Sequence, residues 1–160
     1  MVSNKNRLYV ALYPSGVANN DERKYHWGFI IGPKNESKEE VRGLRCNVRN
    51  YPLRGWTYEE TKLQNVKSTN NLLARIRVAK IEDEKRLLEI LRETPLVQDD
   101  PEFRCRTWMA DVLSRIANSE SFRSWNLRAG LEQDRAKGET LRGEEGCIRE
   151  ILGGRPGIRV

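Results

Sequence analysis

The sequence predicts an α+β fold: an antiparallel sheet formed mainly by the N-terminal half, packed against helices from the C-terminal half. Two patterns and their order predict it. Between Arg7 and Ile81 apolar residues alternate with polar ones or form short apolar runs bounded by turn residues, as strands do. From Asp83 onward they recur at helical spacing. Strands first and helices second is the order of an α+β domain with a largely antiparallel sheet.

Each element has its own signature. Arg7 to Tyr13 is apolar on both faces and stops at Pro14-Ser15-Gly16, as a central strand covered on both sides does. A polar loop leads to Tyr25-His26-Trp27-Gly28-Phe29-Ile30-Ile31-Gly32. There Tyr25, Trp27, Phe29 and Ile31 point one way, and His26, Gly28 and Ile30 the other. Gly28 leaves room beside the imidazole for a ligand or another side chain. In Gly43 to Arg49, Leu44, Cys46 and Val48 share one face while Arg45, Asn47 and Arg49 share the other. Pro52 and Gly55 mark a turn, Trp56 to Tyr58 open another strand, and Ser68 to Asn71 turn the chain into a strand over Leu72 to Ile81.

Asp83 caps a helix over Glu84 to Glu93, and Thr94-Pro95 ends it. Asp100-Pro101 reads as a cap followed by a favoured first helical residue. Cys105, Trp108, Met109, Val112, Leu113 and Ile116 then recur at helical spacing. Alternatively, Pro101 to Phe103 form a separate turn and Cys105 opens the helix; the sequence leaves both readings open. Ser119 or Ser121 caps a third helix to about Lys137, and a weaker helix covers Glu144 to Leu152. The organisation expected is one α+β domain over residues 1–152, with a flexible basic tail over 153–160.

A chain of 160 residues forms a real core without disulfides or metal. The three cysteines, Cys46, Cys105 and Cys147, are odd in number and show no paired spacing, which argues against a disulfide framework or a zinc site. No apolar run approaches the ~20 residues of a membrane span, and Met1 to Asn6 do not read as a signal peptide. The expectation is a soluble, cytoplasmic protein of a reducing compartment, with no cofactor. The net charge of +6 comes largely from arginines scattered from Arg7 to Arg159. They form no basic run and do not interleave with aromatics, which argues against a dedicated nucleic-acid function.

Cys105 on a helix and His26 on a strand are the minimum parts of a thiol-dependent site. The reactive species is the thiolate, so its cysteine needs a lowered pKa. A helix N-terminus, a nearby imidazolium, and Arg104 and Arg106 would all lower it. By position alone the stripe reads Cys105 as a small core residue, and His26 alone reads as a structural strand histidine.

The order decides in favour of the site. His26-Trp27-Gly28-Phe29-Ile30-Ile31-Gly32, then a polar residue on the next strand, then Arg104-Cys105-Arg106-Thr107-Trp108-Met109 opening a helix, resembles the circularly permuted NlpC-type papain-like superfamily. That group includes lecithin:retinol acyltransferase-like and PPPDE-like proteins, and a small fungal branch shares the order. The resemblance covers Arg7 to Ile116. It implies a papain-like core in permuted order, with Cys105 as nucleophile and His26 as general base and acid. Asn47 is the best match to the third, orienting position, as in a Cys-His-Asn arrangement. It also implies an acyl-group enzyme: hydrolysis of amides, esters or thioesters, or acyl transfer, through a thioester intermediate. The substrate would be a small-molecule or peptide acyl compound. The chain departs from the acyltransferase pattern: it has no second histidine, Arg-Cys-Arg replaces Asn-Cys-Glu, and no membrane-anchor segment follows. These departures count against phospholipid or retinoid substrates. The alternative function is a noncatalytic papain-like binding or scaffold domain, or a small-molecule pocket that promotes a cyclisation.

Overall fold

The structure is a computed structural model that describes residues 5–20, 23–69 and 71–119. The third helix, the weaker helix, the basic tail and Cys147 fall outside the described residues. Five strands and two helices follow in chain order: β1 (Arg7–Pro14), β2 (Tyr25–Gly32), β3 (Gly43–Tyr51), β4 (Gly55–Leu63), β5 (Ala74–Lys80), α1 (Glu84–Glu93) and α2 (Cys105–Asn118). The strands form one sheet in the order β4-β3-β2-β1-β5, with every neighbouring pair antiparallel. The fold is therefore α+β, as the strand-then-helix order requires.

The apolar run of β1 is explained by its place inside the sheet, covered on both faces. On one face Leu8, Val10 and Leu12 join Trp27, Phe29 and Val48 in the core that packs against both helices. On the other, Tyr9, Ala11, Tyr13 and Ile30 are covered by Val41 and Val66 from the loops before β3 and after β4. The Val66 N–H donates to the Val41 carbonyl at 2.7 Å, so those two loops close over the sheet together.

Trp108 of α2 centres the helix-side core. It is 0 % exposed, with the rings of Phe29 and Tyr58 each 5.8 Å away. Its Nε1 has no acceptor among the described residues, which costs about 1–3 kcal/mol. Burying an indole of roughly 150–250 Å² contributes about 4–6 kcal/mol at ~25 cal/mol per Å², so burial wins.

α1 begins as expected, with the Asp83 carboxylate accepting the Arg86 N–H at 2.9 Å. α2 does not begin at Pro101. Asp100 instead organises a tight turn, accepting from the Glu102 N–H through its side chain (2.8 Å) and from the Phe103 N–H through its carbonyl (3.1 Å). Arg104, in extended conformation, precedes Cys105 as the first helical residue. The reason is packing. In a continuous helix Phe103 would share a face with Arg106 and Thr107, three and four residues on, away from the core face of Trp108 and Val112. The break lets Phe103 turn inward, 4 % exposed, edge-on to Trp56 at 5.3 Å.

The same connector is clamped to the sheet by Gln98. Its Oε1 accepts the Trp56 N–H at 2.7 Å, and its Nε2 donates to the Trp56 carbonyl at 2.9 Å. Gly55 makes this approach possible, with φ of 69° and no Cβ to meet the Gln98 amide. Gly55→Ala is expected to destabilise the protein by about 1–3 kcal/mol, from the left-handed backbone and a loosened clamp. The midpoint of urea unfolding checks this; an unchanged midpoint would show that the clamp contributes nothing to the fold.

Candidate active site

The β2–β3 ladder runs only from Ile31↔Leu44 to Gly28↔Asn47. Beyond it β2 stays paired with β1 as far as Tyr25↔Pro14, and β3 stays paired with β4 as far as Tyr51↔Gly55. The two strands therefore part, opening a cleft between Tyr25–Trp27 and Val48–Tyr51. The first residue of α2 stands at that gap. Cys105 Sγ accepts the Trp27 N–H at 3.5 Å, in the place where a β3 carbonyl would have continued the ladder.

Cys105, His26 and Asn47 all border one cavity of about 800 Å³ at this cleft. Strand alternation puts His26 and Asn47 on the face that carries Tyr13 and Ile30, with the His26 and Tyr13 rings 6.4 Å apart. Cys105 comes to the same cavity from the helix side. Among the described residues no hydrogen bond joins Cys105 to His26, or His26 to Asn47. Asn47 is 1 % exposed, and neither its Nδ2 nor its Oδ1 has a partner among the described residues. The room beside Gly28 is taken by another side chain, because a Cβ there would stand 3.2 Å from the Asn47 Cβ.

Over residues 5–129 the chain matches a family of unknown function, DUF6914. The chain belongs to DUF6914. No curated protein and no solved structure matches it. The matched span takes in every element described above, and with them Cys105, His26 and Asn47.

In this DUF6914 chain the electrostatics of the pair differ from the sequence expectation of an activated thiolate. His26 is pushed down to about 4, first by burial and then by the charges of Arg49 and Arg45; Glu59 pulls weakly the other way. The Cys105 thiol is pushed up, because burial outweighs the backbone N–H groups of Trp27, Arg106 and Cys105 and the charge of Arg106. At neutral pH the cavity is thus bordered by a neutral thiol and a neutral imidazole. Cys46 is a core residue as expected, 0 % exposed and pushed up to about 12 by burial.

The start of α2 brings backbone donors to the cavity. Its first N–H groups have no intrahelical acceptors, and no side chain caps them. The Cys105 N–H has no intrahelical acceptor and lies close to its own sulfur. Gln98, on the connector before α2, cannot serve as a further donor, because both ends of its amide are held by Trp56. Among the described residues no group of three or more His, Cys, Asp and Glu side chains converges as a metal site requires.

Sequence reasoning missed the Trp27 N–H as a cysteine partner, and Arg45 and Arg49 as neighbours of His26 in the cavity. The last two were within reach, since they share the Asn47 face of β3 by simple alternation.

Two outcomes follow from the titration behaviour. The folded His26 pKa lies below the ordinary 6.5, so the native state refuses a proton that the unfolded state takes. The stability tied to this is full above pH ~6.5 and is lost as pH falls towards ~4, up to about 3 kcal/mol. His26→Gln should lose that part of the pH dependence, read as converging wild-type and variant urea midpoints between pH 7.5 and 4.5; parallel curves would contradict it. Separately, iodoacetamide alkylation of Cys105 in a Cys147→Ser background should stay slow at pH 7 and rise through the alkaline range. Rapid alkylation with a plateau below pH 8 would show an activated thiolate instead.

Proposed function

We propose that this chain is a cysteine-dependent acyl-group enzyme, acting as a hydrolase or acyltransferase on a small-molecule or peptide acyl substrate in the cytoplasm. One observation carries the reading. Cys105 opens α2 with its sulfur held by the Trp27 N–H, in the cavity that His26 and Asn47 also border. The order of these residues along strand, strand and helix supports kinship with the permuted NlpC-type papain-like superfamily. Among the described residues no helix is long and apolar enough to cross a membrane.

In this reading neutral His26 takes the thiol proton as Cys105 Sγ bonds to the acyl carbon. The carbonyl electrons move to oxygen, which the Cys105 N–H receives. The imidazolium then gives its proton to the departing amine or alkoxide as that bond breaks, leaving a thioester on Cys105. Water, or a second acceptor deprotonated by His26, attacks the thioester and regenerates the thiol. Asn47 Oδ1, without a partner in the resting site, would orient the ring by accepting its other N–H as the substrate binds.

A second reading is favoured by the neutral pair and by the absent thiol–imidazole hydrogen bond: a papain-like pocket that binds a ligand without turnover. Acylation separates the two. p-Nitrophenyl acetate should place one acetyl group on Cys105, read by intact mass and peptide mapping, and release it in time. Cys105→Ala should abolish the adduct, and His26→Ala should slow its formation by roughly 10²–10⁴-fold. No His26-dependent acylation of Cys105 would leave the binding reading.

A further inference from the structure

We infer that Arg45, Asn47 and Arg49 form an oxyanion-binding row, so that the ligand of this cavity carries a carboxylate or phosphate away from its reacting carbonyl. The inference deepens the proposed function by naming a substrate class, and it rests on that reading only for its catalytic meaning.

The three residues alternate along β3 and share one face, and all three border the cavity. Two buried donors in this row lack acceptors among the described residues: Arg45 Nε and Asn47 Nδ2. An unsatisfied buried donor costs about 1–3 kcal/mol, and an anionic oxygen is the acceptor both lack. Arg45 is held in place by its guanidinium lying 5.3 Å from the centre of the Tyr13 ring, so its planar fork is presented rather than free to wander.

The charge of the cavity points the same way. Among the described residues its lining includes five arginines, Arg23, Arg45, Arg49, Arg104 and Arg106, and no Asp or Glu. Arg104 is partly spent at the helix start, donating to the carbonyls of Pro101 and Phe103. One carboxylate sits near the row: Glu59 lies opposite Asn47 on β4 and accepts the Tyr51 hydroxyl. It offsets one of these charges at most. A guanidinium fork matches carboxylate and phosphate oxygens in a bidentate manner, and about 800 Å³ suits a small molecule or a short peptide segment.

The test reads binding without chemistry, on the full-length Cys105→Ala protein at low ionic strength. Glutarate, its uncharged analogue glutaramide, and inorganic phosphate are titrated by calorimetry. Glutarate or phosphate should bind, more weakly as salt is added, and glutaramide should bind at least tenfold more weakly than glutarate. The tighter of the two anions names the group recognised. Arg49→Gln, at an exposed position, and Arg45→Gln should each weaken the anion at least tenfold. Arg86→Gln on α1, outside the cavity, should leave its affinity within twofold. Binding of neither anion, equal binding of glutarate and glutaramide, or an Arg49→Gln affinity within twofold of the parent would overturn the inference. Because Cys105 is absent throughout, failure here is distinct from failure of the acylation test.

Discussion

The site depends on a single backbone group, the Trp27 N–H. A strand N–H in a half-buried sheet needs an acceptor, and β3 has turned away by the time β2 reaches Trp27. Cys105 Sγ fills the vacancy. Sulfur is a weak acceptor, so this contact cannot place α2 alone. It is supported from behind by Trp108 between Phe29 and Tyr58, and from the side by the Gln98 clamp and Phe103 on Trp56. The clamp has a second consequence. It holds the start of β4, at the end of the β3–β4 hairpin, against the connector that leads into α2.

The strand faces were legible in the sequence because period two is a local property. It is enough to put His26 with Ile30, Asn47 with Arg45 and Arg49, and Cys46 in the core. The α1 cap was equally legible, since Asp83 and the apolar stripe of that helix are close in sequence. Where α2 begins was not. Asp100-Pro101 satisfies the local rules for a helix start, and only the demand of Phe103 for Trp56, on a strand far away in sequence, overrides it. The cleft was illegible for the same reason: the point at which two strands stop pairing depends on register, which neither strand encodes alone. The charge states were misjudged because residue types suggest charges while burial decides them. Arg104 and Arg106 flank the cysteine as the sequence shows, yet desolvation of the thiol is the larger effect.

That balance has a mechanistic meaning. A helix N-terminus favours an anion by about 0.3–1 kcal/mol, whereas each pKa unit is worth about 1.4 kcal/mol. Lowering His26 from 6.5 to about 4 thus opposes an imidazolium by ~3 kcal/mol, several times what the helix returns to a thiolate. The resting site keeps its proton on sulfur, which also protects the thiol from oxidation.

Part of the opposition to the imidazolium comes from Arg49 and Arg45, the two cations of the inferred oxyanion row. In the proposed mechanism the charges of the row therefore work against His26 as a base. An oxyanion seated on those guanidinium groups would cancel the field that they impose on the ring, and His26 would regain basicity as the ligand binds. Burial, the largest cause of the depression, would remain, so recovery would be partial. Coupling of this kind would grade proton transfer by ligand: in the proposed mechanism a neutral acyl compound acylates Cys105, and an anionic one does so faster. If His26 is the base of the proposed mechanism, the row would then select substrates twice, once by binding them and once by raising the basicity of that histidine.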